Sequence, residues 1–132
     1  MKLLILIFLK IFANSVLYHK IVLDDPTAKC LDGSQGVYYL SKGDPQKVLV
    51  HLQGGAWCGD IDPTKTLYKC YERSKTVLGS SKDYPDTMEF NEGILSDQPA
   101  NIFKGWTRAH FRYCDGSGHQ GTRTLPVRFK DA

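Results

Sequence analysis

The stretch Val48-Leu49-Val50-His51-Leu52-Gln53-Gly54-Gly55-Ala56-Trp57-Cys58 constrains this chain more than any other. It begins as an apolar run rich in β-branched residues, the pattern of a strand buried on both faces. The run breaks at Gly54-Gly55, where the backbone can take positive φ and another group can approach closely. Cys58 follows at once and can pin the loop. A strand that ends this way presents backbone N–H groups suited to an anion, or to the oxyanion of an acyl-transfer intermediate. The plain alternative is a tight turn after a core strand, because glycine pairs are ordinary turn punctuation.

A chain of 132 residues fits about one domain. Its net charge of +3 is spread thinly, and no Lys/Arg block forms a stripe for nucleic acid. The first residues read as a signal peptide over 1–15. Lys2 gives the positive start, Leu3 to Leu9 the apolar segment, and Ala13-Asn14-Ser15 the small residues a signal peptidase prefers. Lys10 interrupts the apolar run, which is far shorter than the roughly 20 residues a membrane span needs. A buried N-terminal strand is the alternative. The expectation is a secreted chain, with 16–132 as the mature domain.

Four cysteines remain, Cys30, Cys58, Cys70 and Cys114. An even number on a secretory route favours two disulfides. No C-x-x-C pair is present, so no structural zinc is expected, and the chain calls for no cofactor. Three pairings are open. Cys58 with Cys70 would staple the loop after the glycines, and Cys30 with Cys114 would then tie the N-terminal segment to a later strand.

Taken in order, Val37-Tyr38-Tyr39-Leu40 and Lys47 to Leu52 read as strands joined by a short turn, hence as a hairpin. Asp62 or Thr64 caps a helix running to about Ser74, with Leu67, Tyr71 and Cys70 on one face. Leu78 to Ala100 reads as a long irregular region. Ile102 to Trp106 is a short turn that packs aromatics. Arg108 to Tyr113 is a third strand, ending at Cys114 and the glycine-rich loop Asp115 to Gly121. Two strands thus end in glycine-rich loops, and open α/β sheets bind ligands beyond the carboxyl ends of their strands.

These motifs resemble the pectin acetylesterase/Notum family of secreted carboxylesterases. The matching pieces are His51 to Cys58, Arg73 with Leu78-Gly79-Ser80-Ser81, Gly93-Ile94-Leu95-Ser96 and Arg112 to Ser117, in that order. Cys30 to Ser34 before Tyr38-Tyr39-Leu40 is similar to the family's opening. The resemblance implies an α/β fold, the N-terminal part of an α/β-hydrolase-type sheet, and ester hydrolysis by a Ser-His-Asp triad. It implies an oxyanion hole built from the backbone of Gly54, Gly55 and Ala56, and the disulfides Cys30–Cys114 and Cys58–Cys70. It also implies an acyl ester substrate, acetylated polysaccharide first. Two departures stand out. Gln53 replaces the family's usual Glu, and the segment from Cys58 to Cys70 is longer than in the plant members.

A hydrolase of this kind carries its serine on a strand-to-helix turn read as Gly-x-Ser-x-Gly, and no such motif occurs in these residues. Ser117 and His119 are too close in sequence to face each other as nucleophile and base. The expectation is a hydrolase domain that stops before its nucleophile and is inactive alone. His51 and His110 read as packing histidines, and Asp115 as a loop-orienting residue. Trp57 and His119 are the candidates to touch substrate. Trp106 is read as packing. Two other readings stand behind this one: a non-catalytic secreted binding module, and a disulfide-stapled structural protein unrelated to hydrolases.

Overall fold

The computed structural model describes residues 15–120 together with 125, 127 and 129. The signal-peptide reading falls almost wholly outside the described residues. Five strands form one mixed sheet: β1 (Val16–Val22), β2 (Val37–Ser41), β3 (Asp44–Leu52), β4 (Thr87–Phe90) and β5 (Trp106–Phe111). Their order is β3-β5-β2-β1-β4, with β3 and β5 parallel and the other neighbours antiparallel. One helix, α1 (Pro63–Ser74), and a short 3-10 turn (Gly93–Leu95) complete the regular structure among the described residues. The class is α/β, a partial sheet with little helix.

The strands obey the two-residue alternation of a pleated sheet. On one face Val16, Tyr18 and Tyr39 pack with Leu95, and Leu49, Met88 and Phe90 lie against them. On the other face Leu17, Val48, Val50 and Leu52 are exposed. Polar groups inside the core face are tied down. The Tyr18 hydroxyl donates to Leu95 O at 2.7 Å. Arg108, only 1% exposed, pairs with Asp97 at 2.5 Å and donates to Phe103 O at 2.8 Å.

The hairpin expected from β2 and β3 does not form. β5 lies between them, antiparallel to β2 and parallel to β3. The chain leaves Ser41 on one side of β5 and returns at Asp44 on the other, which pairs with Trp106. Gly43 makes this crossing possible, because a Cβ there would sit 2.3 Å from Gly105 O. An apolar run such as Val48 to Leu52 suits a parallel neighbour as well as a hairpin partner. The region read as irregular from Leu78 to Ala100 contains β4, and the strand β1 begins directly after Ser15.

The helix forms where its signals lie. The Asp62 carboxylate accepts from Thr64 N at 2.9 Å, and Pro63 occupies the first turn, where its missing N–H costs nothing. None of its residues is buried, so the helix relies on a few specific attachments. Two disulfides, Cys30–Cys114 and Cys58–Cys70, join segments 84 and 12 residues apart.

Candidate functional site

Because β3 and β5 are parallel neighbours, their carboxyl ends lie at the same edge of the sheet. Gln53 N donates to Phe111 O at 3.0 Å, extending the ladder by one bond before the chains diverge. The Gln53 side chain then accepts from Tyr113 N at 3.1 Å. The loops Gln53 to Cys58 and Asp115 to Gln120 therefore leave side by side. Cys58 N donates to Gly116 O at 3.2 Å, and the ring Nε2 of His119 lies 2.9 Å from Gln53 O. A carbonyl only accepts, so this nitrogen carries the proton.

Tyr113 sits at the centre of this junction. Its hydroxyl donates to Ala56 O at 2.8 Å and accepts from Gly118 N at 3.3 Å. Its ring lies against Gly55, where a Cβ would come within 2.1 Å of the ring carbon Cδ1. Glycine is thus required at 55 by close approach, not by φ. The His119 ring packs edge-on against Tyr113, with centroids 5.3 Å apart. Ala56 lies in the left-handed region at φ 58°, and His119 does so at φ 62°, which L-residues adopt at a cost.

Arg73 reaches the same loop from α1. Its Nη1 donates to Gly55 O at 2.9 Å and also to Ala56 O. The N–H groups of Gly54, Gly55, Ala56 and Trp57 have no acceptor among the described residues. The end of α1 is packed closely, since a Cβ on Gly79 would lie 2.3 Å from Arg73 O. Below it, Asp32 N donates to Gly79 O at 3.1 Å and Ser81 Oγ donates to Gln35 O at 2.6 Å. Burial works against the Asp32 carboxylate, but hydrogen bonds from Ser34, Ser80 and Lys82 outweigh it and hold its pKa to about 2.

The structure brings Gly54, Gly55, Ala56, Trp57 and His119 to one edge. Trp57 is 70% exposed, with its indole Nε1 over Gly118, where a Cβ would approach to 2.9 Å. Ser117 is bound elsewhere. Its hydroxyl donates to Asp115 Oδ2 at 2.6 Å, not to His119. His51 and His110 lie on the core face as ladder partners, each the last residue but one of its strand. Arg73 and Tyr113 stand within the sequence motifs, but nothing local in the sequence assigns either a role at this loop. The clue lay in the spacing, because Arg73 follows Cys70 by one helical turn and Cys70 is bonded to Cys58.

A family model described as pectinacetylesterase matches residues 12–129. The chain is 38% identical over 99 residues to pectin acetylesterase 5 of Arabidopsis thaliana, covering 71% of this chain and 22% of that protein. It is 39% identical over 98 residues to pectin acetylesterase 11 of the same plant, covering 71% of this chain and 24% of that protein. It therefore spans about a quarter of the length of the curated relatives it matches. Among solved structures it is similar to the Wnt deacylase Notum from Drosophila, with a TM-score of 0.68 and 28% identity. That match covers 81% of this chain and 31% of the Notum chain. With the glycine loops at one sheet edge and a family model spanning nearly all of its length, the chain belongs to the pectinacetylesterase family.

Proposed function

We propose that these residues supply the oxyanion-stabilising part of a secreted carboxylesterase that removes acetyl groups from polysaccharide. The observation that carries this reading is the convergence of the two glycine loops beyond the adjacent carboxyl ends of β3 and β5. There the N–H groups of Gly54, Gly55 and Ala56 lack internal acceptors among the described residues. In ester hydrolysis a serine hydroxyl adds to the acyl carbon while a histidine takes its proton. The carbonyl oxygen becomes an alkoxide, and preorganised N–H donors stabilise that charge. Exposed Trp57 and His119 line the approach, Trp57 as a flat surface on which a sugar ring can stack. Two disulfides suit an oxidising, extracellular setting.

The nucleophile is not read in these 132 residues, which contain no Gly-x-Ser-x-Gly. Without the attacking serine and its base no acyl-enzyme can form, so the 132-residue chain is expected to show no ester hydrolysis. Release of acetate from acetylated pectin, or of p-nitrophenol from its acetate, above a buffer control overturns that expectation. A longer form of the chain that carries a Gly-x-Ser-x-Gly elbow should turn over acetyl esters, and no turnover by such a form overturns the esterase reading.

The exposure of Trp57 also favours a second reading, a secreted glycan-binding module. It predicts that the 132-residue chain is retarded in gels containing pectin and that Trp57→Ala abolishes the retardation.

A further inference from the structure

We propose that Arg73 and Tyr113 are positioning residues that aim the Ala56 and Trp57 N–H groups outward as oxyanion donors, by holding the Gly55 and Ala56 carbonyls back. The inference rests on the oxyanion reading of this loop and names the parts that set its direction.

The argument starts from the peptide unit. A trans peptide is planar, and its N–H points opposite to its C=O; no peptide bond among the described residues is cis. The Gly55 carbonyl accepts from Arg73 Nη1 at 2.9 Å, so the Ala56 N–H, in the same plane, points away from Arg73. The Ala56 carbonyl accepts from the Tyr113 hydroxyl at 2.8 Å and from the same Arg73 nitrogen, so the Trp57 N–H is turned away likewise. Ala56, the residue at the joint between the two planes, is the one held at φ 58°. Left to itself an alanine would leave that region, which L-residues adopt at a cost. The bonds to both flanking carbonyls oppose the rotation. His119 acts in the same sense two peptide units earlier, holding Gln53 O and so turning the Gly54 N–H outward.

Arg73 is itself delivered by a closed ring. The chain runs from Ala56 to Cys58, crosses the disulfide to Cys70, and returns through Arg73 to the Gly55 and Ala56 carbonyls. Since α1 buries no residue, this ring is a principal attachment of the helix to the site. Tethering is already provided by the disulfide. What Arg73 adds is a direction for two carbonyls.

The test uses the 132-residue chain labelled with ¹⁵N and inorganic phosphate as a tetrahedral oxyanion probe, well below each variant's unfolding midpoint. In the unsubstituted chain the Ala56 and Trp57 amide signals should move as phosphate is added. Tyr113→Phe removes one carbonyl contact without changing charge and should weaken phosphate about threefold. Arg73→Met should weaken it about tenfold. Arg73→Lys, which returns a nitrogen able to reach both carbonyls, should recover part of the loss. A residue that only stabilised the fold would leave phosphate affinity unchanged under these conditions. Equal affinity in all variants overturns the inference. A loss in Arg73→Met with none in Tyr113→Phe assigns the effect to charge alone and overturns it too. Silent amide signals from Gly54 through Trp57 in the unsubstituted chain overturn the oxyanion reading and the inference with it, whereas silent Ala56 and Trp57 signals beside moving Gly54 and Gly55 signals overturn the inference alone.

Discussion

The Nδ1 atoms of His51 and His110 lie 2.8 Å apart, across paired positions of the parallel strands β3 and β5. One must donate and the other accept, so the accepting ring is neutral at that nitrogen. His110 is buried, with Phe90 edge-on at 5.2 Å. Burial first, then the nearby His51 and Arg112 charges, push its pKa down to about 4. The unfolded chain therefore takes up a proton near pH 6.5 that the folded chain refuses until about pH 4. Stability is fully present above pH 6.5 and is lost as pH falls through this window, by on the order of 3 kcal/mol. Urea unfolding between pH 7.5 and 4 should show this slope, and His110→Phe should flatten it.

Gly55→Ala should be costly for a packing reason. The added methyl meets the Tyr113 ring at 2.1 Å, and the ring is fixed by its bonds to Ala56 O and Gly118 N. Overpacking of this kind costs about 1–3 kcal/mol. Gly54→Ala, where a Cβ meets nothing within 4 Å, serves as the control and should be mild by comparison. Chemical denaturation of the pair measures the difference.

At Ala56 the ranking should run the other way. Its φ of 58° suits glycine, so Ala56→Gly should remain within about 0.5 kcal/mol of the parent or exceed it, strain relief offsetting the extra freedom of the unfolded chain. Ala56→Val, β-branched at positive φ, should lose about 1–3 kcal/mol. Thermal midpoints of the three chains test the order.

Replacing Cys58 and Cys70 together by serine opens a loop of 12 residues and should cost about 3 kcal/mol in the chain-entropy account. Replacing Cys30 and Cys114 opens one of 84 and should cost about 4–5 kcal/mol. The first change should also raise amide exchange along α1 ahead of global unfolding, because the helix has no buried residue to hold it. Exchange no faster in α1 than in β2 would contradict that assignment.

Features set by neighbours in sequence were legible in advance. The helix was readable from its cap at Asp62, β3 from its apolar run and β5 from its polar–apolar alternation. The packing of Phe103 on Trp106, at 5.1 Å, fits the aromatic turn expected there. What failed depended on distant partners. The Lys42-Gly43 link looks like a hairpin turn, and nothing local reveals that β5 fills the space between its arms. β4 has only four residues, and β1 mixes His19 and Lys20 into its apolar positions, so neither carries a strong period. At the site, the glycine loops stood out as motifs. Their meeting did not, because it follows from the parallel pairing of β3 with β5.

That strand order also sets a sequence of events during synthesis. β3 touches no strand but β5 among the described residues, and β5 ends at Phe111. Cys58 and Cys70 emerge from the ribosome well before then and can be oxidised while Val48 to Leu52 still has no neighbour. The Gly54-Gly55 loop therefore takes its shape only when Tyr113, 57 residues beyond Ala56, arrives to hold it.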